Sequence, residues 1–211
     1  MKRILITGGK GDIAVSLIKK LKETNEYEIF SPSHSEMDVT SINAVSDYIN
    51  DRSPIDVLVN NAGISVDTNI VSSDINTEKN VLDTNLFGVF NCASAVLKNN
   101  PDALIINIGS ISGTAAGRNY NSYRAAKAGV IMATQCWALQ GVNAFCVNAG
   151  RVEGKMRQKL FPKGDPFAGA LLKQEKLAGF IAKLISSAPN LEKGKCFCIH
   201  SDNVDHLTDN M

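Results

Sequence analysis

No stretch of this 211-residue sequence stays apolar for the roughly 18–20 residues that a membrane-spanning helix needs. The opening MKRILITGG has basic residues, but only three apolar ones precede a glycine turn, too few for a secretory signal. Charge of one sign is missing as well. Lysine and arginine number 22 and the acids 21, for a formal net charge of +1, so no general pull toward nucleic acid or an anionic membrane is expected. Cysteine is scarce and odd in number: five, at 92, 136, 146, 196 and 198, mostly in apolar helix or strand context. They read as reduced core residues of a cytoplasmic protein. Cys196 and Cys198 share one face of a strand, but no nearby spacing supplies further ligands, so no metal site is expected. Internal repeats, linkers and low-complexity segments are also missing. With 44% hydrophobic and 20% charged residues, the sequence reads as one soluble domain, residues 1–211, with a substantial core.

What is present is alternation. Apolar runs at Arg3–Thr7, Tyr27–Ser31, Ile55–Val59, Ala103–Ile108, Val142–Val147 and Lys195–Ile199 read as strands. Helical patterns follow them: GGKGDIAVSLIKKLKE, SINAVSDYIND behind a cap at Met37–Thr40, Glu78–Leu97, YRAAKAGVIMATQCWAL, and residues 169–187. The path from the second strand to Met37 is too short for a full crossover helix. Residues 64–76 read as loop. Residues 154–168, with Pro162, Gly164 and Pro166, read as an irregular substrate lid, and the polar tail 201–211 is expected to fray. Strands alternating with helices predict an α/β fold: a Rossmann-like, doubly wound parallel sheet with helices on both faces.

Chemistry concentrates in Asn107–Lys127, NIGSISGTAAGRNYNSYRAAK. Tyr123 and Lys127 are four apart on a predicted helix, and such residues share a face with Cβ atoms about 5–6 Å apart. A tyrosine of pKa about 10 is a poor acid or base at neutral pH. An ammonium at ~4 Å and an effective dielectric near 20 attracts a phenolate by roughly 4 kcal/mol, or about three pKa units before desolvation takes some back. Ser110 closes the apolar run ALIINIG and so falls at the carboxyl edge of the sheet, where open α/β sheets bind ligands. Its hydroxyl is placed to donate to a substrate carbonyl oxygen while Tyr123 supplies the proton. By itself a Tyr-x-x-x-Lys pair is most simply a surface contact, and a mid-helix asparagine such as Asn85 a solvated or capping residue.

The first strand runs into Gly9-Lys10-Gly11-Asp12-Ile13-Ala14, which fits G-x-G-x-x-G/A in the strand–turn–helix context of a dinucleotide site. The glycines let backbone approach a pyrophosphate at the helix N-terminus. Where many NAD-binding folds place an acid after the second strand, this chain has Ser31, then Pro32, Ser33, His34 and Ser35, with no acid before Glu36. With Lys10 nearby, the pattern favours NADP(H), and NAD(H) remains possible. The third strand ends in the polar turn Asn60-Asn61-Ala62-Gly63.

Taken together these segments resemble the short-chain dehydrogenase/reductase family along essentially the whole chain. Thr7-Gly8 with Gly11 looks like its cofactor glycine motif, Asn61-Ala62-Gly63 like its Asn-Ala-Gly segment, and Asp38-Val39 like the pair that holds the adenine. Asn85, Ser110, Tyr123 and Lys127 fall in the order of its catalytic tetrad. The resemblance implies Tyr123 as general acid/base, Ser110 as the group polarising the carbonyl, Lys127 as a cation that lowers the Tyr123 pKa and holds the nicotinamide ribose, and Asn85 as holder of a relay water. It also implies cofactor contacts at Gly150 and Val152 and a homodimer or homotetramer, with a small carbonyl or alcohol as substrate. Departures are Asp12 and Ala14 in the glycine loop, Ala149-Gly150 for the usual Pro-Gly, and Gly154 where a threonine often stands. Two other readings stay open: a catalytically silent dinucleotide-binding regulator, and epimerase or dehydratase chemistry on a sugar nucleotide.

Overall fold

A computed structural model describes residues 1–165 and 169–211. Strands β1 (Lys2–Ile6), β2 (Tyr27–Phe30), β3 (Val57–Asn60), β4 (Leu104–Ser110), β5 (Asn143–Ala149) and β6 (Cys196–Ile199) form one parallel sheet in the order β2-β1-β3-β4-β5-β6. Every residue of β3 and β4 is buried. Their unbroken apolar runs follow from that, because both faces of a parallel sheet are covered. Alternate strand residues serve opposite faces. Ile4, Ile6, Val59 and Ile106 pack with α1 (Asp12–Lys22), α7 (Gln174–Ser187) and α8 (Val204–Asp209). Leu5, Leu58 and Ile105 pack with α2 (Ile42–Asn50) and α4 (Gly88–Asn99), and α5 (Asn121–Leu139) joins that side through Val130 against Val89 and Cys146.

The strand order reverses between β1 and β3, and that reversal opens a crevice beyond the carboxyl ends of the strands, the usual ligand position in such sheets. The short path between β2 and α2 leaves β2 at the sheet edge. Helix α2 is capped by Ser41, whose hydroxyl accepts from Ala44 N at 3.3 Å, one residue past the expected cap.

Four expectations need correction. The helix expected over 78–97 begins with α3 (Ile75–Leu82), passes through a π-turn at Asp83–Phe87 and continues as α4. The segment 154–168 is not wholly irregular: α6 spans Lys155–Leu160, while residues 166–168, Pro166 among them, lie outside the described residues. Residues 169–173 precede the helix rather than starting it. The tail does not fray. Val204 is buried, and Leu207 and Met211 pack against the core; their spacing of three and four makes an apolar face on a short helix, which the many polar neighbours hid. The cysteines divide: Cys92 and Cys146 are buried, Cys196 is partly buried, and Cys136 and Cys198 are exposed. Among the described residues no helix is long and apolar enough to cross a membrane, and no group of His, Cys, Asp and Glu is arranged to hold a metal ion.

Candidate active site

The turn from β1 into α1 is stitched to the end of β3. The buried Thr7 hydroxyl accepts from the backbone N–H of Asn61 at 3.0 Å and of Ala62 at 2.9 Å. Asn61 Nδ2 donates back to the Thr7 carbonyl at 2.9 Å. Gly9 N donates to Pro32 O at 2.8 Å, tying the same turn to the end of β2. Gly11 caps α1 without a side-chain hydrogen bond, so the first N–H groups of α1, those of Asp12 and Ile13 among them, lack a side-chain acceptor. A bare helix start at the switch point fits the pyrophosphate of a dinucleotide.

Ser110 is the last residue of β4, and its Oγ accepts from Ser112 N at 3.1 Å, which fixes the hydroxyl at the sheet edge. Tyr123 lies in the first turn of α5. Burial pushes its phenol above the ordinary value, and a hydrogen bond with the Ser110 hydroxyl acts in the opposite direction. Lys127 sits one turn on, 5% exposed, with Nζ donating to the Ile108 carbonyl at 2.7 Å and lying 5.7 Å from the Tyr123 ring centre. Burial lowers its pKa to about 8, against a smaller opposing effect of Cys146. The three groups that sequence spacing singles out therefore meet in one place. The electrostatics differ from expectation: burial dominates at Tyr123, so the phenol is a weaker acid, not a stronger one, while the Lys127 ammonium donates to a backbone carbonyl.

Asn85 is no solvated helix residue. It is fully buried in the π-turn, where Nδ2 donates to Ile64 O at 2.8 Å and Val81 O at 2.9 Å and Oδ1 accepts from Ile64 N at 3.2 Å. A Cβ on Gly63 would stand 2.6 Å from that Oδ1, so glycine here makes room for the asparagine. Such π-turns in helices mark functional sites more often than chance.

The short chain dehydrogenase family matches residues 2–165. This chain belongs to that family. The 3-oxoacyl-[acyl-carrier-protein] reductase FabG of Vibrio harveyi is 37% identical over 131 residues, covering 58% of this chain and 54% of that protein. The acetoacetyl-CoA reductase of Paracoccus denitrificans is 32% identical over 174 residues, covering 69% and 72%. The chain spans about half the length of several 3-oxoacyl-[acyl-carrier-protein] reductases it matches. Two solved structures share the fold at a TM-score of 0.84: ElxO with NADP bound, 23% identical over 97% of this chain and 99% of that one, and ligand-free aldohexose dehydrogenase of Thermoplasma acidophilum, 22% identical over 94% and 92%.

Several residues expected to hold a cofactor have protein partners of their own. Asp38 Oδ1 accepts from Thr40 N at 2.9 Å and Thr40 Oγ1 at 2.8 Å. Burial raises its pKa, and these bonds with His34 nearby bring it below the ordinary value. Val39 is buried, and its carbonyl accepts from Asn91 Nδ2 at 2.9 Å. Gly150 N donates to Ile199 O at 2.7 Å, and Val152 pairs with Leu172. Past Ser31, Ser33 spends both donors on Glu36: its N and Oγ reach Oε2 at 2.8 and 2.6 Å. These bonds hold the Glu36 carboxyl below its usual pKa, with lesser help from Lys10 and Arg52. Arg52, stacked 3.7 Å over the Tyr48 ring, brings the guanidinium that the sequence segment lacks.

Asp12 also departs from expectation. Its Oδ2 accepts from Lys155 N at 2.6 Å and its Oδ1 lies 3.7 Å from Lys155 Nζ. Gly154, at φ +138°, lies against the carboxylate, where a Cβ would stand 2.5 Å from Oδ2. The start of α6 is thereby fastened to the glycine turn. A buried chain of hydrogen bonds runs from β3 through β4 into α5: Asn60 Nδ2 donates to Asn107 Oδ1, Asn107 Nδ2 to Thr134 Oγ1, and Thr134 Oγ1 to Val130 O, all within 2.9 Å. An asparagine inside the apolar run ALIINIG was its one available signal in the sequence.

Proposed function

We propose that this chain is an oxidoreductase that moves a hydride between NADP(H), with NAD(H) second, and a small carbonyl or alcohol. The observation that carries the reading is the convergence of Ser110, Tyr123 and Lys127 at the carboxyl end of β4, beside the uncapped start of α1. The nicotinamide supplies or accepts the hydride when bound. The turn from Thr7 to Ile13, Asp38-Val39, Asn61 to Gly63, Lys127, Gly150 and Val152 would hold the cofactor. In reduction, Ser110 donates a hydrogen bond to the carbonyl oxygen and Tyr123 gives that oxygen its proton. The raised phenol pKa keeps Tyr123 protonated at neutral pH, as an acid must be. Lys127, with a pKa near 8, stays charged at pH 7, and a cation one helical turn away would favour the phenolate as the proton leaves. Asn85 would hold a water of the proton relay beside its bonds to Ile64 and Val81, and the segment from 154 would act as the lid.

The curated relatives are named for 3-oxoacyl and acetoacetyl thioesters, so acetoacetyl-CoA belongs in a screen of carbonyl compounds with NADPH and NADH, read by absorbance of the reduced cofactor. Oxidation of the cofactor by at least one carbonyl supports the reading. Tight cofactor binding without turnover across the screen would favour the silent regulator instead. For NADPH, Lys10 and Arg52 supply the positive charge near the end of β2, and Glu36 opposes it. For assembly, Phe87, Phe90, Met132 and Leu139 are exposed on and beside α4 and α5, an apolar surface suited to a second copy of the chain and hence a homodimer.

A further inference from the structure

We infer that Glu78 is a positioning residue for Tyr123: its carboxylate, buried on α3, is the N-terminal cap that α5 lacks, and it fixes the turn from which the phenol projects. The inference rests on the reading of Tyr123 as proton donor.

Helix α5 has no cap of its own. Its first residue, Asn121, follows Tyr120 at φ +65°, and no side chain next to it accepts a helix N–H. Left alone, such a helix start frays, because its first N–H groups have no partner. The partner comes from 44 residues away. Glu78 Oε2 accepts from Ser122 N at 3.3 Å, and Oε1 accepts from Asn121 Nδ2 at 3.5 Å. Ser122 is the residue next to Tyr123. Glu78 is 6% exposed and joins none of the ion pairs among the described residues. A buried carboxylate without a cation is costly unless donors surround it. Here Ser122 N and Asn121 Nδ2 are the donors that reach it; the Ser122 hydroxyl, then Thr68 and Asn121, hold its pKa below the ordinary value against burial, although the Ser122 and Thr68 hydroxyls complete no hydrogen bond of their own. Negative charge at a helix N-terminus also suits the helix dipole.

The contact belongs to a larger bracket. Asn85 lies seven residues beyond Glu78, in the π-turn that follows α3, and grips Ile64. Tyr120 N donates to Thr68 O at 2.9 Å. The stretch from Glu78 to Asn85 thus ties the loop after β3 to the beginning of α5. The middle of α5 is separately anchored to the sheet through Lys127 and Thr134. What Glu78 adds is control of the first turn, where the phenol must meet Ser110 on a different element. Misplacement of a reacting group by ~1 Å can cost on the order of a hundredfold in rate.

The test uses Glu78→Met, which keeps length but offers no acceptor, and Glu78→Gln, which keeps an oxygen for Ser122 N–H. Turnover is measured with NADPH and acetoacetyl-CoA, NADPH affinity by its fluorescence, and amide hydrogen exchange across residues 121–125. The expected result for Glu78→Met is a kcat at least about tenfold lower, with KM and NADPH Kd within about twofold. Amide protection is lost over the first turn of α5 alone. Glu78→Gln is expected to retain at least about half the wild-type kcat. A Glu78→Met enzyme with more than half the wild-type kcat, or unchanged protection of the first turn, would overturn the inference. If the wild type itself does not turn over, the proposed function fails on that probe, and exchange at residues 121–125 still decides the role of Glu78. Should Glu78→Met not fold, Glu78→Asp replaces it: one methylene too short, it must turn over more slowly than Glu78→Gln, and the reverse order overturns the inference.

Discussion

Replacing Lys127 with methionine should make the protein more stable at neutral pH while abolishing its function. Lysine ordinarily titrates at 10.5, but burial lowers Lys127 to about 8. At about 1.36 kcal/mol per unit, holding the ammonium in place costs roughly 3 kcal/mol below pH 8. Methionine has nearly the same length and carries no charge. It leaves the Ile108 carbonyl without the 2.7 Å donor, a loss of about 1 kcal/mol. The net expectation is a gain of about 2 kcal/mol at pH 7, or roughly 4–8 °C in Tm for a chain of this size. The sign of the pH dependence is determined. Between pH 8 and 10.5 the unfolded chain holds more protons than the folded one, so wild-type stability rises with pH through that window from this group. Lys127→Met has no such rise, and its advantage should vanish by about pH 10. Denaturant unfolding of both proteins at pH 7 and pH 10, compared as differences, tests this. A variant less stable than wild type at pH 7, or an advantage that does not change with pH, would refute the reasoning.

Other expectations follow from the same geometry. Wild type should prefer NADPH over NADH by about tenfold, or about 1.4 kcal/mol; Lys10→Ala should remove most of that preference with little effect on NADH, as read from kcat/KM for each cofactor. Equal wild-type values would show that the loop has been misread. Asp12→Ala frees Lys155 N and should raise hydrogen exchange over 154–160; removing a carboxylate from a phosphate-facing helix start should tighten NADPH binding, and fluorescence titration showing weaker binding would contradict this. Light scattering at micromolar concentration should give a dimer mass, and a species of 22.7 kDa would rule that assembly out.

The sheet was legible because buried parallel strands must be continuously apolar, and each of the six runs stands between glycine or polar turns. Ser110, Tyr123 and Lys127 were legible because i, i+4 spacing and a strand end place them without any long-range knowledge. What stayed hidden depends on contacts across many residues. Glu78 looks like an ordinary acid in a first helical turn; only the fold brings it to Ser122. Arg52 lies far in sequence from Ser31, so the cation near the end of β2 was missed. Asp12 gave no sign of holding Lys155, 143 residues on. The phenol's raised pKa was misjudged for a related reason: spacing predicts the ammonium's proximity but not how far the fold buries Tyr123.

The most direct measurement compares wild type with Tyr123→Phe, pairing NADPH affinity by fluorescence with turnover of the best carbonyl from the screen. Removing only the phenol oxygen should leave NADPH affinity within about twofold and lower kcat by roughly 10²–10⁴-fold, the range of a positioned acid. A Tyr123→Phe protein that binds NADPH normally and still turns over at more than about a tenth of the wild-type rate would show that Tyr123 is not the proton source.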